Sequence, residues 1–195
     1  MPTPKDRALP VAATLLTGTV ALYITLVVFG NITDFGTNQQ FVRHVLAMDT
    51  TFKDDDLMWR AIESTALQDA AYVAIIVWET VAALTLIAAT VLWTGALRGR
   101  RPVRTARLVG TAGLLMLLLL FGAGFIGVGG EWFAMWQSES WNGLDSATRV
   151  VTLAGVVLLV TLLTPPTEPL KGRGELREDH GEPEPEVPVG SGSAL

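Results

Sequence analysis

One acidic side chain stands where a charge is costly. Glu79 is the only charged residue in the stretch from about Ala70 to Leu97. If that stretch enters a bilayer at Ala70, Glu79 is about nine residues in, or about 14 Å deep. That is close to the middle of a hydrocarbon core of about 30 Å. A carboxylate there costs several kcal/mol unless it is paired or protonated, so it is a functional candidate by default. Three readings are open: a proton or cation relay, a structural hydrogen bond to a neighbouring helix, and an ion pair with Arg43, His44, Arg60 or Arg149.

The other residues with chemical potential are few. His44 is the only histidine ahead of the tail, with His180 the second, so bis-histidine haem ligation across spans is excluded. His44, Asp49, Glu79 and Glu131 together offer a nitrogen and carboxylate oxygens of the kind zinc or iron accepts. Their spacing matches no local metal signature, and neither a metal nor any other cofactor is expected. Cysteine is absent, which removes disulfides, thiolate sites and cysteine nucleophiles. There is no glycine-rich phosphate loop, and no second histidine stands near a serine for a triad. No enzymatic activity is expected.

Tryptophans cluster beside these residues. Trp132, Trp136 and Trp141 fall within ten positions, and Trp59 precedes Arg60. Tryptophan prefers a membrane interface, where its ring is apolar and its N–H is wet, so an aromatic belt is expected. The competing reading is a lid in which the indoles join Glu131, Gln137 and Asn142 over a ligand.

Four runs are long and apolar enough to carry these residues across a bilayer: about 9–30, 70–97, 108–128 and 147–163. The last carries Arg149 at its start, where the side chain can snorkel, and is stopped by Pro165 and Pro166. The first follows Lys5 and Arg7, as a signal peptide would. It is longer than a typical signal core, however, and runs into Phe29-Gly30-Asn31-Ile32 without a small-residue cleavage site. It is read as an uncleaved span.

Loop 31–69 holds Phe41, Val42, Val45 and Leu46 at helical spacing. A second short helix begins at the acidic run Asp54-Asp55-Asp56, suited to a helix N-terminus, and aligns Leu57, Met58, Ala61 and Ile62. These amphipathic pieces should lie on the membrane or cap the bundle. Loop 129–146 holds the three tryptophans. Gly122, Gly124, Gly127, Gly129 and Gly130 crowd the end of the third run, with Gly110 and Gly113 earlier, and suit close helix packing.

Basic residues give the orientation. Arg98, Arg100, Arg101, Arg104 and Arg107 fall between runs two and three, Lys5 and Arg7 precede run one, and Lys171, Arg173 and Arg177 follow run four. This places 1–8 and the tail 165–195 in the cytoplasm and loops 31–69 and 129–146 outside. The tail, with Glu182-Pro183-Glu184-Pro185-Glu186, cannot bury a core and is expected to be disordered and solubilising. At 195 residues, 17% charged and a pI near 5.0, the chain is one domain that does not bind nucleic acid. The arginine cluster is a topology determinant with some contact to anionic lipid.

Several segments carry a resemblance. Asn31-Ile32-Thr33-Asp34-Phe35, the stretch from Gln40 to Phe52, Trp59-Arg60-Ala61-Ile62, Trp78-Glu79, the stretch from Gly129 to Gln137, and Trp141-Asn142-Gly143 resemble a bacterial family of predicted small integral membrane proteins, domain of unknown function 2165. The resemblance spans about residues 9 to 164 and implies a four-helix membrane protein without supplying an activity. The expectation is an all-α membrane protein, four transmembrane helices in a bundle with short amphipathic helices in the first outer loop. It would sit in the bacterial inner membrane as an accessory or scaffold component, with other subunits or its own copies as partners. A small transporter using Glu79 is the first alternative, and an outward-facing ligand- or metal-binding module the second. Any site should lie between Glu79 and the loops holding His44, Asp49 and the tryptophans.

Overall fold

The structure, a computed structural model, describes residues 4–165; the acidic tail falls almost entirely outside the described residues. Four long helices run up, down, up and down. They are α1 (Pro4–Thr33), α4 (Thr65–Leu97), α5 (Val103–Leu117) with its π-helical continuation Leu118–Trp132, and α6 (Leu144–Leu163). Each is long and apolar enough to cross a membrane. In the bundle α1 packs between α4 and α6, and α5 packs between the same two. Short helices α2 (Phe35–Ala47) and α3 (Asp55–Met58) lie between α1 and α4.

Burial follows helical periodicity. On α4 the buried positions Gln68, Tyr72, Glu79, Ala82, Ala83, Leu86, Ala89 and Trp93 form one inward stripe, at the three- and four-residue steps that keep side chains on one face. Of these, Ala82, Ala83 and Leu86 meet Val20, Ala21 and Ile24 of α1, Leu114 and Leu117 of α5, and Ala154 and Val157 of α6, while Trp93 packs with Ala13, Val103 and Ala106. With lipid outside as apolar as the core, close approach holds the helices together. A Cβ on Gly113 would stand 2.8 Å from Leu86 Cγ, so glycine is what lets α4 and α5 touch there. Threonines inside the helices mostly hide their hydroxyls by donating to the carbonyl four residues back, as Thr14, Thr25, Thr80, Thr90 and Thr94 do. That removes the cost of a free O–H in an apolar setting.

The bundle has two unlike ends. At one, Arg98, Arg100, Arg101 and Arg104 are exposed, while Arg107 donates to Thr164 O at 3.2 Å and covers a terminal carbonyl of α6. At the other, α2, α3 and the segment 133–143 form a roof. Met48, Phe133 and Ala134 make its buried centre, with Val45, Leu46, Leu57, Met58, Ala61 and Ile62 packed around them. The expected apolar faces of the first loop therefore cap the bundle. Asp54 accepts from Asp56 N at 3.0 Å, the expected acidic N-cap.

Several boundaries differ from those expected, two of them beside the roof. The helix starting at Leu118 runs through Trp132, so Gly129 to Trp132 are helical and the loop begins at Phe133. Its π winding closes with Phe133 N donating to Val128 O at 3.0 Å, and its many glycines tolerate the departure from α geometry. Helix α4 starts at Thr65, five positions ahead of the expected entry at Ala70. Hydropathy does not separate residues buried under a roof from residues buried in lipid.

Candidate functional site

The junction of α1 and α2 fixes the site. The helix breaks at Asp34, whose backbone leaves helical geometry, so the carbonyl of Asn31 loses its partner in the next turn. Tyr72 Oη, one turn into the buried part of α4, donates to that carbonyl at 2.9 Å. Asn31 in turn donates from Nδ2 to Glu79 Oε2 at 2.6 Å. Tyr72 and Glu79 are seven positions apart and share the inward face of α4.

Glu79 is only 2% exposed, and it borders a cavity of about 270 Å³ beneath the roof. Asn31, Asn38, Asn142 and Ser146 supply polar lining, and Phe41, Phe121 and Phe125 supply aromatic walls. Phe121 and Phe125 stack at 5.2 Å, and Phe41 stacks on Phe125 at 6.4 Å. Phe41 descends from α2 against the start of α6, where a Cβ on Gly143 would stand 2.8 Å from its ring. Asn142 fixes that start by accepting from Leu144 N at 3.1 Å. Among the described residues no Lys, Arg or His lines the cavity.

Glu79 is about 21 Å along α4 from Thr65 and about 27 Å from Leu97, and its partner Asn31 stands in the last turn of α1. The first turns of α4, ahead of the expected entry at Ala70, pack against α2.

None of the four cations expected as partners reaches Glu79. Arg43 forms a two-point pair with Asp69, Nε to Oδ1 at 2.8 Å and the terminal nitrogen to Oδ2 at 2.7 Å. The hydrogen bond to Asp69 raises the Arg43 pKa above its ordinary value, and Gln39 donates to the same carboxylate at 2.9 Å. His44 Nδ1 is 2.8 Å from Asp49 Oδ2, and its ring stacks on Trp141 at 4.6 Å. The Arg60 guanidinium lies over Trp132 at 4.8 Å and Trp59 at 5.6 Å. Arg149 donates to Ser146 Oγ at 2.7 Å, at the rim of the cavity.

The expected convergence of Glu79 with His44, Asp49 and Glu131 is not found. Helix α2 turns Asn38, Phe41 and Val42 down towards Glu79, while Arg43, His44 and Asp49 line a separate depression on its other side. Glu131 is exposed and borders a third depression with Arg60 and Trp132. Among the described residues no three His, Asp or Glu side chains are grouped to hold a metal.

The tryptophans differ in burial. Trp59, Trp132 and Trp136 are exposed, at 70%, 45% and 51%, as interfacial indoles are. Trp141 is half-buried and meets Phe41 edge-on at 6.3 Å, so it belongs to the roof over the cavity. Gln137 accepts from Phe52 N at 2.9 Å and is a loop fastener.

Sequence reasoning missed Tyr72, Asn38, Phe125 and Ser146. The step of seven from Glu79 to Tyr72 was the available signal; the others come together only through packing.

No curated protein and no solved structure matches the chain. A family model described as "Predicted small integral membrane protein (DUF2165)" matches residues 9–164, which include all four apolar helices from Leu9, the roof and every residue around Glu79. The chain belongs to the DUF2165 family of small integral membrane proteins.

Proposed function

We propose that this protein is a binding module of the bacterial plasma membrane, without catalytic activity, that holds a small molecule in the cavity beside Glu79. Both termini are cytoplasmic and the roof faces outwards, as the arginines at the opposite end favour. The observation that carries the reading is a buried carboxylate bordering a cavity of about 270 Å³ that, among the described residues, no cationic side chain lines. Concave sites with apolar walls and a few convergent polar groups are the usual form of ligand pockets.

Transport through the bundle has less support. Below Glu79 the interior is filled by Ile24, Leu86, Leu114 and Leu117, each fully buried. An accessory or scaffold role, within a larger assembly or a homo-oligomer, is favoured by one feature. A shallow lipid-facing groove between α1 and α4, lined by Gly18, Ala21, Thr25 and Thr90, would admit a helix at close range.

The test is native mass spectrometry of protein released from its own membranes, together with thermal melting in fractionated metabolite extracts. Wild type should carry a small-molecule adduct that is lost in Asn38→Leu and Ser146→Leu, whose side chains line the cavity, while both variants still melt cooperatively. Wild type with no adduct, and no fraction that raises its Tm, would overturn the binding reading.

A further inference from the structure

A second cavity adjoins the first. It measures about 170 Å³ and is lined by Val45, Leu46, Ala71, Leu120, Gly124 and Val128 among others, with almost no polar surface. Phe41, Val42, Ile75 and Phe125 border both cavities, so only these apolar side chains separate them. One compartment has a buried carboxylate and three asparagines, and the other is apolar throughout. Both lie at the roof end of the bundle, beneath Phe41 and Val42 of α2.

We infer that the paired cavities take an amphiphilic ammonium ion, its cationic head beside Glu79 and its apolar tail past Phe41 in the second cavity. This rests on the binding reading above and names the class of ligand. A cation suits the first cavity on two grounds, and the helix ends beside it do not oppose one. Glu79 is its one ionisable carboxylate. The stacked faces of Phe41, Phe121 and Phe125 attract an ammonium group. The helix ends that border it, the last turn of α1 and the first of α6, carry opposite partial charges that offset each other. At this end of the molecule acidic residues outnumber the basic Arg43, Lys53, Arg60 and Arg149, a distribution that draws cations. An apolar tail gains from the second cavity by leaving water, about tenfold in affinity for every two methylenes buried.

The head could belong to a free alkylamine or to a membrane lipid with an ethanolamine headgroup, which share the ammonium chemistry. Protein in nanodiscs of phosphatidylglycerol, which brings no ammonium group, would be titrated calorimetrically with tetramethylammonium, hexyltrimethylammonium and hexyl sulfate. Hexyltrimethylammonium should bind at least about tenfold tighter than tetramethylammonium. Glu79→Gln should weaken both by about tenfold or more, and Ala71→Leu, which fills the apolar cavity, should remove only the advantage of the hexyl chain. Phosphatidylethanolamine in the discs should displace hexyltrimethylammonium if the lipid is the source, and leave it bound if a free amine is. Equal binding of hexyl sulfate, or Glu79→Gln binding that matches wild type with an unchanged melt, would overturn the assignment. Failure of every ammonium probe while native protein carries another adduct would sink the ligand class and leave the binding reading standing. Failure of both would remove both.

Discussion

Asn31 and Glu79 are joined side chain to side chain at 2.6 Å, from the last turn of α1 to the inward stripe of α4. The bond does two things at once. It ties the helices together where the bundle begins to open, and it holds the carboxylate against the wall of the cavity. Deleting the donor should therefore be worse than deleting the charge. Asn31→Leu leaves a buried carboxylate without its partner and should cost about 2–4 kcal/mol. Glu79→Gln keeps the size and an acceptor oxygen and should cost under about 1 kcal/mol. Reversible unfolding in mixed micelles measures both, and the opposite ranking would show that Asn31 is not what stabilises Glu79.

Tyr72 acts one link back in the same chain, on a carbonyl exposed by the helix break at Asp34. Tyr72→Phe removes the hydroxyl and preserves the ring contact with Phe35 at 4.8 Å. The expected loss is about 1 kcal/mol, with faster amide exchange confined to the last turn of α1 and the first of α2. Exchange that quickens throughout α4 would instead mean that the ring, not the hydroxyl, carries the effect.

The four spans were legible because twenty apolar residues in a row are a local property of the chain. The roof was half legible. Phe41, Val42, Val45 and Leu46 announce an amphipathic helix, yet nothing local says that Phe41 points at Glu79 while His44 points away. The candidates His44, Asp49, Glu79 and Glu131 are polar residues at the same end of the molecule, and grouping them assumed one shared face. On α2 the helical step sends His44 away from Phe41 and Val42, which follows only once its apolar face is known to be the lower one, and Glu131 ends a different helix beside Arg60 and Trp132. Asn31 was invisible as a partner because it reads as the polar end of an apolar run.

The pairing of Arg43 with Asp69 is the main polar tie between α2 and α4. With Gln39 it fixes the roof in place, so its loss should loosen α2 without unfolding the spans. Arg43→Ala and Asp69→Ala should each raise hydrogen exchange across Phe35–Ala47, and more salt should do the same to wild type. The exchanged pair, Arg43→Asp with Asp69→Arg, should recover part of the protection. If each single variant leaves α2 exchange at the wild-type level, the apolar contacts of Val42 and Met48 hold the roof alone.

Two buried threonines lack the bond that Thr14, Thr25, Thr80, Thr90 and Thr94 make. Thr17 and Thr161 are fully buried, and neither hydroxyl has a hydrogen-bond partner among the described residues. An unpaired buried hydroxyl is unfavourable, and valine has nearly the same shape. Thr17→Val and Thr161→Val should be neutral or stabilising by up to about 1 kcal/mol. Destabilisation beyond that range in an unfolding titration would mean that a partner such as an internal water serves these groups.

The orientation can be decided chemically because the chain contains no cysteine, so one introduced thiol is the only one to react. Lys53 is exposed on the roof, and Arg100 is exposed in the turn between α4 and α5. The bundle places these positions at opposite ends, and the arginine bias assigns the turn to the cytoplasm. In intact cells whose outer barrier admits small reagents, a charged maleimide should label Lys53→Cys at once and Arg100→Cys only after the plasma membrane is opened. The reverse pattern would turn the cavity beside Glu79 towards the cytoplasm, and its ligand would then have to be sought among intracellular amines. Equal labelling of both in sealed cells would mean that the four apolar helices are not arranged across one bilayer as a single up-and-down bundle.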